Sequence, residues 1–347
     1  MKTNNPFTLT YGMKPKTYLS DETSTVEEIV SAFASENPIS HSCIITGSRG
    51  SGKTALMHAV AKTLQESKQW VVIDLNSSAP LVNDLSARLI DEATSGTGII
   101  TLLYLALLGY AGLGFSDDAG RINFATERLA KRKQNILITI DEAKSDANMV
   151  EFANHFQMLV RHGINVFVIV TGLYEDIYKL DEKSIPLGLR AGKIFLKALN
   201  LDKIKNTYKK TLKISDDEAL KMAELTKGYP FGFQALGALY WEYRDSKTFD
   251  EIVKLYDGTL EDYAYNAIWS ELNDSEKLIV RAFPDDDAKM SIDELCANTN
   301  LPKEEVIKSA SRLAAKNICD EPEKGCYTFA LPRIRSVIHA HELTYIV

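Results

Sequence analysis

Eight consecutive residues, Gly47-Ser48-Arg49-Gly50-Ser51-Gly52-Lys53-Thr54, constrain this chain more than any other feature. They fit G-x-x-x-x-G-K-[ST], a backbone cradle for phosphate. Cys43-Ile44-Ile45-Thr46 reads as a short buried strand entering the loop, and Ala55–Gln65 as a helix leaving it. Glycines let the backbone curl until several N–H groups face one anion, and the following helix adds its positive end. Lys53 is then placed for the β- and γ-phosphates and the Thr54 hydroxyl for Mg²⁺. The expected phosphate-binding set is Gly47, Ser48, Arg49, Gly50, Ser51, Gly52, Lys53 and Thr54. A plain Gly/Ser turn before an ordinary helix accounts less well for strand, loop and helix together.

A phosphate loop needs a metal partner, and one follows. The apolar run Ile136-Leu137-Ile138-Thr139-Ile140 ends in Asp141-Glu142. A carboxylate at the end of a buried strand beside the loop strand can hold the water shell of Mg²⁺, so Thr54 and Asp141 are the expected metal residues. Glu142 is placed to orient or deprotonate an attacking water. An acidic pair capping the next helix is the weaker alternative. Val170-Thr171-Gly172 closes the following strand; Thr171 either helps to place that water or sits in a simple strand-end turn. Arg190, just before the last strand, reads either as a finger reaching a neighbouring subunit's nucleotide or as a surface ion pair.

Strand-like runs at Trp70–Leu75, Val166–Val170 and Lys193–Leu196 alternate with helical runs at Leu81–Ala93, Ile122–Arg132 and Val150–Arg161. This alternation predicts a three-layer α/β domain with a parallel sheet. From about Leu199 the strands stop. Amphipathic helices are expected at Ile204–Leu212, Asp216–Leu225, Phe231–Tyr243 and Phe249–Tyr256. Near Leu272 the pattern changes again, to helices at Ser275–Phe283, Ile292–Asn298 and Lys303–Lys316, then Ile318–Asp320 and Tyr327–Phe329 around a Pro-Glu-Lys-Gly turn. Three helices and a hairpin predict a winged helix-turn-helix. The expected boundaries are 1–198 for the α/β domain, 199–270 for a helical domain and 271–347 for the winged helix.

A net charge of −7 over 347 residues argues against a nucleic-acid coat and a polybasic membrane binder. The four cysteines show no C-x-x-C pair and no zinc spacing, and reduced thiols in a cytoplasmic protein are expected. MKTNNPFTLT holds no apolar run of signal-peptide length. The uncharged stretch Ile99–Phe115 sits at the lower edge of bilayer-spanning length, at about 17 residues. It is broken by Gly109, Gly112 and Gly114, so an insertion packed on the core or on a neighbouring subunit is the preferred reading, with membrane contact a minor alternative.

With these residues in hand, the chain resembles the AAA+ ATPases, and more narrowly the ATP-binding proteins near the STAND ATPases and the origin-recognition initiators. The likeness runs through Asn5-Pro6-Phe7, ITGSRGSGKT, ITIDEA, Thr171-Gly172, Gly228-Tyr229-Pro230 and Phe329-Ala330-Leu331-Pro332. It implies an ASCE-type P-loop sheet, a helical lid and a winged helix, with ATP and Mg²⁺ as cofactors. Glu142, Thr171 and Arg190 become the catalytic set, with Thr171 as first sensor and Arg190 as arginine finger, and Pro230 joins the nucleotide-binding set. Many relatives carry an arginine soon after Gly-x-Pro; here the sequence runs Pro230-Phe231-Gly232-Phe233. Adenine contacts are implied for the segment from Phe7 to Tyr18. The implied activity is an ATP-driven switch or assembly factor that forms homo-oligomers. The alternatives are an ATP-regulated DNA binder or a signalling ATPase whose winged helix binds protein.

The third helix of the winged segment carries Lys303, Lys308, Arg312 and Lys316 against Glu304 and Glu305. Lys308 and Arg312 share a face and could reach DNA phosphates. Yet residues 273–347 as a whole are slightly acidic, with Asp285-Asp286-Asp287 in one cluster, so DNA and protein both stay open as partners.

Overall fold

The computed structural model describes residues 4–9, 21–95, 118–182, 187 and 191–338. The apolar stretch 99–115 and Arg190 lie outside the described residues. The chain divides into two compact units, one of residues 24–46 and 53–195, the other of residues 1–23, 47–52 and 196–347.

The first unit runs α1 (Asp21–Phe33), β1 (Ser42–Thr46), α2 (Lys53–Gln65), β2 (Trp70–Leu75), α3 (Leu81–Thr94), α4 (Asp118–Lys131), β3 (Asn135–Ile140), α5 (Ala147–Arg161), β4 (Val166–Gly172), α6 (Tyr174–Glu182) and β5 (Gly192–Phe195). Among the described residues its five strands are all parallel, in the order β2-β3-β4-β1-β5. Every residue of β1 and β4 is buried, as apolar strands covered on both faces must be. The edge strand β5 is largely exposed and short. Ile44, Ile138, Val168 and Val170 share one core with Leu85 and Leu89 of α3 and Phe152 of α5.

One expectation is corrected here. The strand that ends in Asp141 does not lie beside the loop strand; β4 stands between them, paired to both. Adjacency along the chain does not fix adjacency in a sheet. The most continuously apolar strand took the position covered on all sides. The register places Ile45 opposite Thr171 and Ile140 opposite Val170, so β1, β4 and β3 end at one edge. The carboxyl edge of a parallel sheet is where ligands bind in such folds.

The second unit holds α7 (Leu201–Tyr208), a π-turn (Lys209–Lys213), α8 (Asp216–Thr226), α9 (Pro230–Tyr243), α10 (Phe249–Leu260), a second π-turn (Glu261–Tyr265), α11 (Asn266–Ser270), α12 (Asp274–Ala282), β6 (Met290–Ser291), α13 (Ile292–Thr299), α14 (Lys303–Ala315), β7 (Cys319–Glu323) and β8 (Cys326–Phe329). Capping boxes at Thr248, Asn273 and Ser291 fix three helix starts, each Ser/Thr/Asn answered by a glutamate three residues on. The short strands form an antiparallel sheet in the order β6-β8-β7 beside α12, α13 and α14, a winged-helix arrangement. One hydrophobic cluster runs without a break from Ile204 and Tyr208 through Phe233 and Tyr256 to Leu313 and Ile334. Phe7 belongs to it. Its ring fills the space left by Gly237, where a Cβ would come within 2.7 Å, and meets Phe233 edge-on.

Candidate functional site

The phosphate loop takes its shape from glycines. Gly50 (φ 71°) and Gly52 (φ 95°) occupy backbone space that other residues enter only under strain. Ser51 N–H closes a turn onto the Ser48 carbonyl at 3.3 Å. Gly47 to Gly52 pack within the second unit. The Tyr229 hydroxyl donates to the Arg49 carbonyl, and Phe231 N–H donates to the Gly50 carbonyl at 3.1 Å. The Arg49 guanidinium pairs with Glu271 at 2.8 Å. The Ser51 hydroxyl is buried and has no hydrogen-bond partner among the described residues.

In the sheet unit, Lys53 opens α2 with its side chain buried. Thr54 follows, and its hydroxyl donates to the Asp141 carboxylate at 3.1 and 2.9 Å. Thr171, fully buried at the end of β4, donates to the same carboxylate and accepts the Glu142 N–H at 3.0 Å. Ala143 N–H is held by the Thr171 carbonyl at 2.8 Å. These bonds hold Glu142 in a left-handed conformation (φ 51°), unusual for a residue with a side chain, and its carboxylate side is exposed. Hydrogen bonds therefore join Thr54, Asp141, Thr171 and Glu142, with Thr171 the joint between the two acids, and Lys53 directly precedes Thr54.

A hydroxyl and a carboxylate are hard oxygen donors suited to Mg²⁺, which takes one or two protein oxygens and completes its shell with water and phosphate. No cluster of three or more His, Cys, Asp or Glu side chains able to hold a metal is found among the described residues.

Pro230 occupies the first turn of α9, where its missing N–H costs nothing. It lines a cavity of about 360 Å³ in the second unit together with Ser51, Lys197, Tyr229, Asn317 and Asp320. Burial raises the Asp320 carboxyl above its ordinary range, with Lys227 opposing that rise. Of the segment implied to meet adenine, Phe7 is spent on the core and residues 10–18 lie outside the described set. Tyr229, Phe231 and Glu271 were not singled out from the sequence as loop partners. Only the Gly228-Tyr229-Pro230 likeness pointed near them.

In the winged segment, α14 presents fewer spare cations than its sequence suggests. Glu276 is wholly buried, with Lys316 at 2.9 Å and Arg312 at 3.6 Å from its oxygens. Lys303 pairs with Asp293 at 2.8 Å. Among the described residues no helix is long and apolar enough to cross a membrane.

No protein-family model and no curated protein matches this sequence. Solved structures do. The Walker-type ATPase of Pyrococcus abyssi aligns over 92% of this chain and 95% of its own, with a TM-score of 0.61 and 18% identity. Cdc6p of Pyrobaculum aerophilum aligns over 96% of both chains at TM-score 0.49 and 14% identity. Orc1 of Aeropyrum pernix, solved in complex with DNA, aligns over 94% of both at TM-score 0.43 and 12% identity. The likeness to the Pyrococcus protein establishes the fold, that of a P-loop ATPase over nearly the whole chain.

Proposed function

We propose that this chain binds ATP with Mg²⁺ and hydrolyses it, acting as a nucleotide-driven switch or assembly factor. One observation carries the reading. Thr54, directly after the phosphate-loop lysine, shares the Asp141 carboxylate with Thr171 at the carboxyl edge of a parallel sheet. A structural hydrogen bond alone would not require the loop signature that precedes it.

In this reading the amides of Gly47–Gly52 and the Lys53 ammonium take the phosphates. Thr54 and Asp141 would hold Mg²⁺, whose bound charge offsets that of the phosphates in phosphoryl transfer. Glu142 accepts a proton from the attacking water, and Thr171 keeps Glu142 and Asp141 in register. Residues 199–270 act as the lid and 271–347 as the winged helix that the nucleotide state moves. Arg190 would complete a neighbour's site in a homo-oligomer, and Pro230 flanks the nucleotide. Cytoplasmic location belongs to the same proposal. The alternative is DNA contact through α14, where Lys308 is exposed while Arg312 and Lys316 flank the buried Glu276.

Titration calorimetry with ATP and Mg²⁺ tests the reading. Saturable uptake by the native chain, abolished in Lys53→Ala, supports it. Absence of uptake by the native chain refutes it.

A further inference from the structure

Five residues, Lys227 to Phe231, touch both the phosphate loop and the wing. At one end, the Tyr229 hydroxyl holds the Arg49 carbonyl and Phe231 N–H holds the Gly50 carbonyl. In a trans peptide the carbonyl of one residue and the N–H of the next point in opposite directions. Pinning the Arg49 carbonyl therefore fixes where the Gly50 N–H points, and pinning the Gly50 carbonyl fixes the Ser51 N–H, which is turned onto the Ser48 carbonyl at 3.3 Å and closes the loop. The first contact sets the direction of the Gly50 amide, a group an anion would meet, and the second holds the loop closed beside it.

At the other end, the Lys227 ammonium donates to the carbonyl of Asp286 and reaches that of Phe329 at 3.4 Å, and it pairs with Asp287 at 3.1 Å. Asp286 in turn accepts from Arg335 N–H at 2.6 Å and from the Ser336 hydroxyl, so Lys227 grips a braced part of the wing. Between the ends lies only Gly228, at φ 75°, with the Leu199 carbonyl 2.5 Å from where a Cβ would stand. Leu199 N–H donates to the Gly228 carbonyl at 2.8 Å. A link this short and this closely packed transmits displacement instead of absorbing it.

We propose that Tyr229 is a positioning residue for the phosphate loop and that Lys227 makes its grip depend on the attachment of the wing. The consequence for ATP rests on the nucleotide-binding reading above; the coupling itself does not. Loosening the wing turns the Gly50 amide away from the anion, and an anion bound on that amide favours the attached wing by the same free energy.

The test uses the full chain in five forms: native, Tyr229→Phe, Lys227→Met, the double variant of these two, and Lys227→Arg. Melting curves verify that each is folded. Tyr229→Phe removes one hydrogen bond and should weaken ATP binding roughly three- to tenfold. Lys227→Met should weaken it by about two- to fivefold in the native background, and by nothing further beside Tyr229→Phe. Lys227→Arg, which keeps charge and donors, should restore affinity. An equal effect of Lys227→Met in both backgrounds, or none in either, overturns the proposal. Amide hydrogen exchange without nucleotide separates the two readings. Faster exchange at Gly50 and Ser51 in Lys227→Met supports the coupling even if the native chain takes up no ATP. Unchanged exchange overturns the coupling even if ATP binds well.

Discussion

The hydroxyl of Thr54 donates to both oxygens of the Asp141 carboxylate, at 3.1 and 2.9 Å, tying the first turn of α2 to the end of β3 across the intervening β4. Asp141→Asn keeps the shape and removes the charge. ATP turnover should fall by about a hundredfold or more, the scale of the several kcal/mol a held cation supplies. Binding measured in the presence of EDTA should change little. Phosphate release and calorimetry, each with and without Mg²⁺, check this.

Glu142→Gln removes the proton acceptor while its N–H can still bond Thr171. Hydrolysis should slow at least roughly a hundredfold with ATP affinity retained, the usual loss for a positioned base. Unimpaired turnover would remove Glu142 from the catalytic role.

Gly50→Ala places a Cβ 2.3 Å from the Tyr229 hydroxyl and 2.8 Å from the Phe231 Cβ, at φ 71°. Left-handed strain alone is worth about 1–3 kcal/mol. The variant should melt several degrees lower and lose ATP affinity together. Scanning calorimetry with and without nucleotide reads both; an unchanged melting point would show that the loop repacks freely.

Lys316→Met leaves Glu276, with no exposed surface, with Arg312 at 3.6 Å as its remaining cation beside the Asn273 N–H at 2.9 Å. Breaking one partner of a buried pair costs about 3–5 kcal/mol. Chemical denaturation should give a loss near the lower end, since Arg312 remains. The double variant Glu276→Leu, Lys316→Met should recover part of it, the rest being the lost cap on the Asn273 N–H.

Burial pushes the Cys43 thiol from its ordinary 9.0 up to about 12, and burial likewise raises the Cys319 thiol and the Tyr208, Tyr256 and Tyr265 hydroxyls. Above about pH 9 the unfolded chain releases these protons while the native one keeps them. The unfolded state then binds fewer protons, so stability falls as pH rises, by about 1.4 kcal/mol per pH unit for each fully engaged group. Their contribution is complete below pH 9. Melting temperatures at pH 7, 9 and 10.5 should show a flat stretch and then a steep decline.

Much of the fold was readable because its signals are local. The strand Trp70–Leu75 was bounded by its own apolar run, and the helices beginning at Asp216 and Ile292 were marked by their helical pattern. The helix Tyr174–Glu182, the π-turns and the two-residue strand Met290–Ser291 were not, because their short runs carry no period of their own. Lys308 and Arg312 looked alike on the page. Only the depth of Glu276, set by packing, distinguishes the paired Arg312 as a structural counter-ion.

By itself the sequence determined the phosphate loop and the acidic strand end, since both depend on residue types a few positions apart. The tertiary structure decided which strand stands between them, that Thr171 joins Asp141 to Glu142, and that Tyr229 and Phe231 pin the loop carbonyls from about 180 residues away. Such pairings are selected by which surfaces bury one another when the chain closes, and that free energy belongs to the whole arrangement, not to any segment read alone.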